Sequence, residues 1–158
     1  MRNFKKFAAV LASTALALSA CSGGGDNGSE GGKSNFKACL VSDAGGWDDR
    51  SFNESAYNGL MQSKESLGIQ VKTAESSSDA DFAPNVEAMV ADGCNMIIGV
   101  GFLLEQPLQD AAANNPDIEF GLVDSFFTDG DATVTVENGR PLVFNTAEAA
   151  YLLSLIHI

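Results

Sequence analysis

The chain has 158 residues and a formal net charge of −12, from nine basic and 21 acidic residues. Hydrophobic residues make up 45% of it, which is typical of a globular protein and not of a disordered one. The excess of acid disfavours nucleic acid and anionic lipid headgroups as partners, because both are negatively charged.

Residues 1–20 have the pattern of a secretory signal peptide. Arg2, Lys5 and Lys6 precede a short apolar stretch that ends in small residues, and the segment contains no acid. The stretch is too short and wrongly flanked for a membrane-spanning helix. Without these 20 residues, six basic residues remain beside 21 acidic ones, a net charge of −15.

Cys21 is the predicted site of lipidation. Residues 18–21, Leu-Ser-Ala-Cys, look like a bacterial lipobox, in which the cysteine carries palmitate-type acyl chains and becomes the new N-terminus. The alternative is an ordinary signal peptide followed by a chance cysteine. Acyl chains contribute roughly 0.8 kcal/mol per buried methylene. We therefore expect a lipid anchor on the extracytoplasmic face of the cell membrane, with residues 21–35 as a flexible Gly- and Ser-rich linker.

From Phe36 onward, short apolar runs alternate with longer amphipathic segments. The predicted strands are 36–43, 69–76, 96–101 and 118–124, with one or two more within 133–138 and 141–145. The predicted helices are 51–67, opened by a capping box from Ser51 to Glu54, then one from Asp79 or Asp81 to about 91, one within 103–115, and one starting at Thr146. This alternation predicts an α/β fold with a parallel sheet, and the common strand order for it is 2-1-3-4-5.

Two cysteines remain besides Cys21. Cys39 and Cys94 both fall at predicted strands, and we interpret them as two buried free thiols. A disulfide is the alternative, since export would let one persist, but the spacing alone does not show that the two Cβ atoms meet.

A candidate ligand site follows from the predicted sheet. In such sheets ligands bind beyond the carboxyl ends of the strands, where the strand order reverses. Carboxylates accept hydrogen bonds from hydroxyl groups, and aromatic rings offer flat apolar faces, so this edge suits a ligand with the shape of a sugar joined to a base. The candidate residues at this edge are Asp43, Gly46, Trp47, Phe52, Asn53, Phe102 and Asp124.

Other interpretations of these residues remain open. Asp48 and Asp49 also suit a solvated turn that complements the dipole of the following helix, and Trp47 also suits a position capping the core. A magnesium-dependent hydrolase would use Asp43, Asp48, Asp49 and Asp124 as oxygen ligands. The sequence has no His or Cys nucleophile and no phosphate-binding loop with Lys, so we expect a binding protein without a cofactor and without catalytic residues.

Several segments resemble one known family in order and spacing. They are LVSDAGGWDDRSFNESAYNGL (40–60), GCNMIIGVGF (93–102), NNPDIEFGLVD (114–124) and the Phe and EAAYL of residues 144–152. Over residues 36–152 the chain is similar to the basic membrane protein family, which contains substrate-binding lipoproteins of ABC importers, including purine nucleoside receptors. The resemblance implies a type I periplasmic-binding-protein fold, with two α/β lobes that close on a nucleoside.

The resemblance also implies roles for individual residues. Asp43 would hold the ribose hydroxyls, Phe52 would stack on the base and Asp124 would contact the base edge. Gly46 stands where some members have a base-contacting Asn, so no base preference is implied.

The expected function is therefore that of an extracytoplasmic nucleoside receptor that delivers its ligand to ABC permease and ATPase subunits. The alternative within the same fold is a receptor for a sugar or another small metabolite.

The resemblance divides the chain into an N-terminal lobe, residues 36–145, and the beginning of a second lobe, residues 146–152. We interpret residues 153–158, LSLIHI, as a non-native tail, because they match the translation of a transposase adapter used in DNA library preparation. His157 consequently receives no functional role.

Overall fold

Five strands form one parallel sheet, as the alternation of strands and helices predicts. The computed structural model describes residues 34–128 and 136–156. The strands are β1 (Lys37–Val41), β2 (Gln70–Ala74), β3 (Met96–Val100), β4 (Glu119–Val123) and β5 (Gly139–Leu142), and the helices are α1 (Phe52–Leu67), α2 (Phe82–Ala91), α3 (Glu105–Asn114) and α4 (Thr146–Ile156). The strand order is β2-β1-β3-β4-β5 with every neighbouring pair parallel, which confirms the predicted order.

Some predictions concern parts of the chain outside the described residues. These parts include the signal peptide, Cys21, most of the linker, residues 129–135 and His157. Of the two segments expected to add strands after β4, the second contributes to β5, which begins two residues earlier than predicted.

Two apolar clusters, one on each face of the sheet, form the core. Successive side chains of a strand point to opposite faces, so β1 contributes to both clusters. Ala38 and Leu40 pack with α1, whereas Cys39 and Val41 pack with α2 and α3. Because both faces of β1 are buried, its sequence is a continuous apolar run, as expected for a central parallel strand.

Cys39 and Cys94 form a disulfide, so the expectation of two free thiols is wrong. Their Cα atoms are 6.0 Å apart, and the residues are 0% and 2% exposed. The turn after α2 leads into β3, which is paired with β1 in the sheet. Cys94 lies in this turn, just before the strand in which it was predicted, and so reaches the same face as Cys39.

The α1 side of the sheet is only partly covered by the described residues. Leu60 is buried, but Phe52 and Leu67, which lie at the same helical spacing, are 38% and 66% exposed. A groove of about 450 Å³ beside α1 is lined mainly by apolar side chains, among them Phe36, Leu60, Ile69, Ile98 and Leu142.

Helix α4 has no buried residue, although it is rich in apolar side chains. Within residues 34–128 and 136–156, no helix combines the length and apolar character that crossing a bilayer requires.

Candidate ligand-binding site

Asp43 lies two residues beyond the end of β1, and two donors fix its carboxylate. The backbone N–H of Gly45 donates to Oδ1 at 3.0 Å, and the side-chain Nδ2 of Asn53 donates to the same oxygen at 2.6 Å. Among the described residues no donor contacts Oδ2. The half-buried carboxylate therefore has a fixed orientation and keeps accepting capacity on its second oxygen.

Two glycines allow the neighbouring loops to approach closely. Gly101, directly after β3, has φ +98°, and a Cβ there would lie 2.7 Å from Asp43 Oδ2. Gly46 has φ +72°, and a Cβ there would lie 2.8 Å from Glu75 Oε1, just beyond β2. Side chains at these positions would be both strained and crowded. The glycines thus bring the ends of β1, β2 and β3 together at the point where the strand order reverses.

Asp49 caps α1, in place of the capping box predicted from Ser51 and Glu54. Its Oδ1 accepts the backbone N–H groups of Ser51 (2.8 Å) and Glu54 (3.0 Å), and its Oδ2 accepts that of Asn53 (3.1 Å). Ser51 makes no side-chain capping bond. Partial desolvation of the carboxylate opposes ionisation, but the amides of Glu54, Ser51 and Asn53 outweigh it, so the pKa of Asp49 is lowered.

Phe52 is the first residue of α1, and its ring lies at the edge of the sheet. It is 38% exposed and contacts Phe144, with ring centroids 5.4 Å apart and planes inclined by 36°. Phe144, 55% exposed, lies between β5 and α4 and was not predicted as a site residue. The signal that could have identified it is an aromatic residue just past the last strand of a parallel sheet.

Trp47 packs inward. Its ring lies 5.4 Å from that of Tyr57 on α1, and it belongs to the apolar cluster on that side of the sheet. This geometry favours the interpretation of Trp47 as a cap on the core. Asp48 beside it is exposed.

The loop after β4 carries Asp124, whose backbone has φ +67°, an uncommon conformation for a residue with a side chain. Its N–H donates to Leu142 O at 2.9 Å, which ties the loop to β5. The hydroxyl of Ser125 donates to Glu105 Oε2 at 2.8 Å, and that of Thr128 donates to Oε1. Glu105, at the start of α3, therefore holds this loop in place, a role that the sequence analysis missed.

Exposed phenylalanines gather at this edge. Phe102, in the turn after β3, is 63% exposed, and Phe126, after β4, is 47% exposed, whereas Phe127 is buried in the core. With Phe52 and Phe144 they give the carboxyl edge four solvent-facing aromatic rings. Such rings are suited to stacking on a flat ligand.

The magnesium interpretation required four carboxylates to converge. In the part of the chain that the structure describes, no group of three or more His, Cys, Asp or Glu residues is placed to hold a metal ion. Both carboxylate oxygens of Asp49 instead accept hydrogen bonds from backbone N–H groups at the start of α1. The geometry thus gives the hydrolase interpretation no support.

The parallel five-stranded α/β sheet is of the kind found in ABC solute-binding proteins. Residues 36–156 match the Bmp family, described as ABC transporter substrate-binding protein, PnrA-like. The chain belongs to this family, which confirms the resemblance seen in the sequence.

Two relatives and one solved structure show the extent of the similarity. The chain is 34% identical to the ABC transporter nucleoside-binding protein BmpA of Lactococcus lactis, over 92% of this chain and 41% of that protein. It is 33% identical to an uncharacterized lipoprotein of Pyrococcus abyssi, over 88% and 33%. A solute-binding protein of an ABC transporter from Aeropyrum pernix is 28% identical, with a TM-score of 0.64 over 75% of this chain and 31% of that one. The chain spans less than half the length of these relatives.

Proposed function

We propose that this chain contributes one wall of a nucleoside site in an ABC-importer receptor. The observation that carries the proposal is the pairing of an oriented carboxylate acceptor, Asp43, with a solvent-facing ring, Phe52, on one loop at the switch point of the sheet. Family membership and the nucleoside-binding name of the Lactococcus relative support the same ligand class.

Each end of a nucleoside has a suitable partner at this edge. Asp43 accepts hydrogen bonds from ribose hydroxyls, and hydrogen bonds to a charged group are worth about 1.5 to 3 kcal/mol. Phe52 supports the base, and stacking of a base on an aromatic ring is worth roughly 1 to 3 kcal/mol. Asp124 accepts from donors on the base edge, and Phe102, which follows the neighbouring strand β3, gives a further apolar contact. Gly46 is buried against Glu75, so it shapes the loop that presents these residues instead of contacting the ligand.

The charge of this edge favours a nucleoside over a nucleotide. Asp43, Glu75 and Asp124 lie one or two residues beyond strand ends, and exposed Asp48 lies in the loop after β1. These carboxylates would repel a phosphate group. We therefore expect a ligand that has no phosphate group and is rich in hydrogen-bond donors.

In the complete receptor, residues 36–145 form the N-terminal lobe and residues 146–152 begin the second lobe. The exposed Tyr151 and Leu152 of α4, which precede the tail interpreted as non-native, and the open groove beside α1 then become internal contacts of the larger protein. Cys21 carries the lipid that holds the receptor on the extracytoplasmic face of the membrane, where it delivers its ligand to an ABC permease and ATPase. The lipoprotein name of the Pyrococcus relative supports this placement.

Two substitutions in the intact protein test the proposal, because they should lower affinity for different sets of ligands. Asp43→Asn should weaken binding of a ribonucleoside by about 1.5 to 3 kcal/mol and leave its 2′,3′-dideoxy analogue almost unaffected. Phe52→Ala should weaken both by roughly 1 to 3 kcal/mol, whatever the sugar. Isothermal titration calorimetry measures both affinities.

Matched controls are available on the same lobe. Asp48→Asn changes an exposed carboxylate in the same loop, and Phe36→Ala removes a ring of similar exposure (41%) just before β1, at the opposite end of that strand. Neither control should change affinity. If Asp43→Asn lowered the affinities for the ribonucleoside and the dideoxy analogue equally, the assignment of Asp43 to the ribose would be contradicted. If the wild-type protein bound a free sugar and no nucleoside, the proposed ligand class would be wrong.

A further inference from the structure

Asn53 lies beneath Asp43 and links it to the cap of α1. The residue is 1% exposed, and its Nδ2 is 2.6 Å from Asp43 Oδ1. Its backbone N–H donates to Asp49 Oδ2 at 3.1 Å. Asn53 thus contacts the carboxylates of both Asp43 and Asp49. Because it is buried, it has almost no surface left for contact with a ligand.

Only one of the two polar groups of the Asn53 side chain, the Nδ2 amide, has a hydrogen-bond partner among the described residues. Its carbonyl Oδ1 is buried without a hydrogen-bond partner among the described residues. A buried acceptor without a partner is destabilising, and an apolar side chain of similar size would not have this cost. What distinguishes Asn53 from such an apolar residue is therefore its side-chain amide donor, which lies 2.6 Å from Asp43 Oδ1 and also helps to lower the pKa of Asp49.

The surrounding backbone is shaped to permit this contact. A Cβ at Gly45 would lie 2.9 Å from Asn53 Nδ2 and 3.2 Å from Asp43 Oδ1. The absence of a side chain at position 45 lets the amide and the carboxylate meet under the loop.

We propose that Asn53 is a positioning residue for Asp43 and not a ligand contact itself. The inference rests on the proposed role of Asp43 as the acceptor for ligand hydroxyls. The donor at Oδ1 holds the carboxylate in one rotamer, with Oδ2 left to accept from the ligand. Without that donor, the backbone N–H of Gly45 would be the one remaining donor to Oδ1 among the described residues, and the carboxylate would be held less firmly. Binding would then have to complete the ordering of the carboxylate, which lowers affinity.

Asn53→Leu in the intact protein tests the inference, with a ribonucleoside and its 2′,3′-dideoxy analogue as probes. Affinity for the ribonucleoside should fall roughly tenfold or more, while that for the dideoxy analogue changes little. Asn85→Leu is the matched control, because half-buried Asn85 donates to Ser76 Oγ at 2.9 Å and has no hydrogen bond to Asp43. The control should leave the ratio of the two affinities unchanged.

A double variant separates positioning from direct contact. Because Asn53 acts through Asp43, the variant Asp43→Asn with Asn53→Leu should bind the ribonucleoside no more weakly than Asp43→Asn alone. Losses that multiply, or a loss from Asn53→Leu that is equal for the two ligands, would overturn the inference.

A measurement without ligand keeps the inference separate from the proposed function. By NMR, the side-chain amide protons of Asn53 should exchange slowly with solvent, and Asp43→Ala should accelerate that exchange, whereas Asp48→Ala should not. Unchanged exchange in Asp43→Ala would refute the positioning contact, even in a protein that binds nucleosides. If the exchange result holds while the wild-type protein binds no nucleoside, the proposed function fails and the coupling of Asn53 to Asp43 stands.

Discussion

Reduction of the Cys39–Cys94 disulfide should destabilise the protein strongly. The bond closes a loop of 55 residues, and the chain-entropy relation for such a loop gives about 4 kcal/mol of stabilisation, mostly through the unfolded state. Since small domains are stable by about 5 to 15 kcal/mol, this is a large fraction of the total. With a urea dependence of about 1 to 3 kcal/mol per molar, the unfolding midpoint should fall by roughly 1 to 4 M.

Urea unfolding of the intact protein, followed by circular dichroism with and without reductant, measures this shift. The bond should also resist reduction under native conditions, because both cysteines are buried in the core and the protein must open locally before a reductant reaches them. The variant Cys39→Ala with Cys94→Ala is the control and should show no response to reductant. Equal midpoints for the oxidised and reduced wild-type protein, with the redox states verified by mass spectrometry, would refute the reasoning.

Three further predictions concern the loops and the anchor. Because the pKa of Asp49 is lowered by folding, its stabilising effect is present above the pKa of an unfolded aspartate, about 3.9, and is lost as the pH falls. Asp49→Asn should therefore lower the thermal midpoint at pH 7 and make less difference near pH 3, and a pH-independent difference would contradict this. Glu105→Ala removes the acceptor of Ser125 and Thr128 and should cost about 1 to 3 kcal/mol; hydrogen exchange in residues 125–128 should accelerate, and unchanged exchange would argue against the tether. Cys21→Ser should release the expressed protein from bacterial membranes, whereas equal membrane association of both forms would contradict the lipid anchor.

The sequence by itself determined the architecture and the edge of the sheet at which the candidate site residues lie. The alternation of apolar runs with amphipathic segments predicts the parallel sheet, and the strand order 2-1-3-4-5 is expected because it is common in sheets of this kind. It also places Asp43, Phe52 and Asp124 at the carboxyl edge, since in a parallel sheet all strands end on the same side. These inferences use only local periodicity and chain order.

Only the tertiary structure decided which groups pair with one another. Cys39 meets Cys94 across 55 residues, and Phe52 meets Phe144 although they are far apart in sequence. Even within the loop after β1, several acceptors compete for the amides at the start of α1, and the path of the backbone selects Asp49 over Ser51. That same path buries Asn53 under Asp43. Residue propensities do not predict these pairings, because each pairing depends on distances that are set only when the strands and helices have packed.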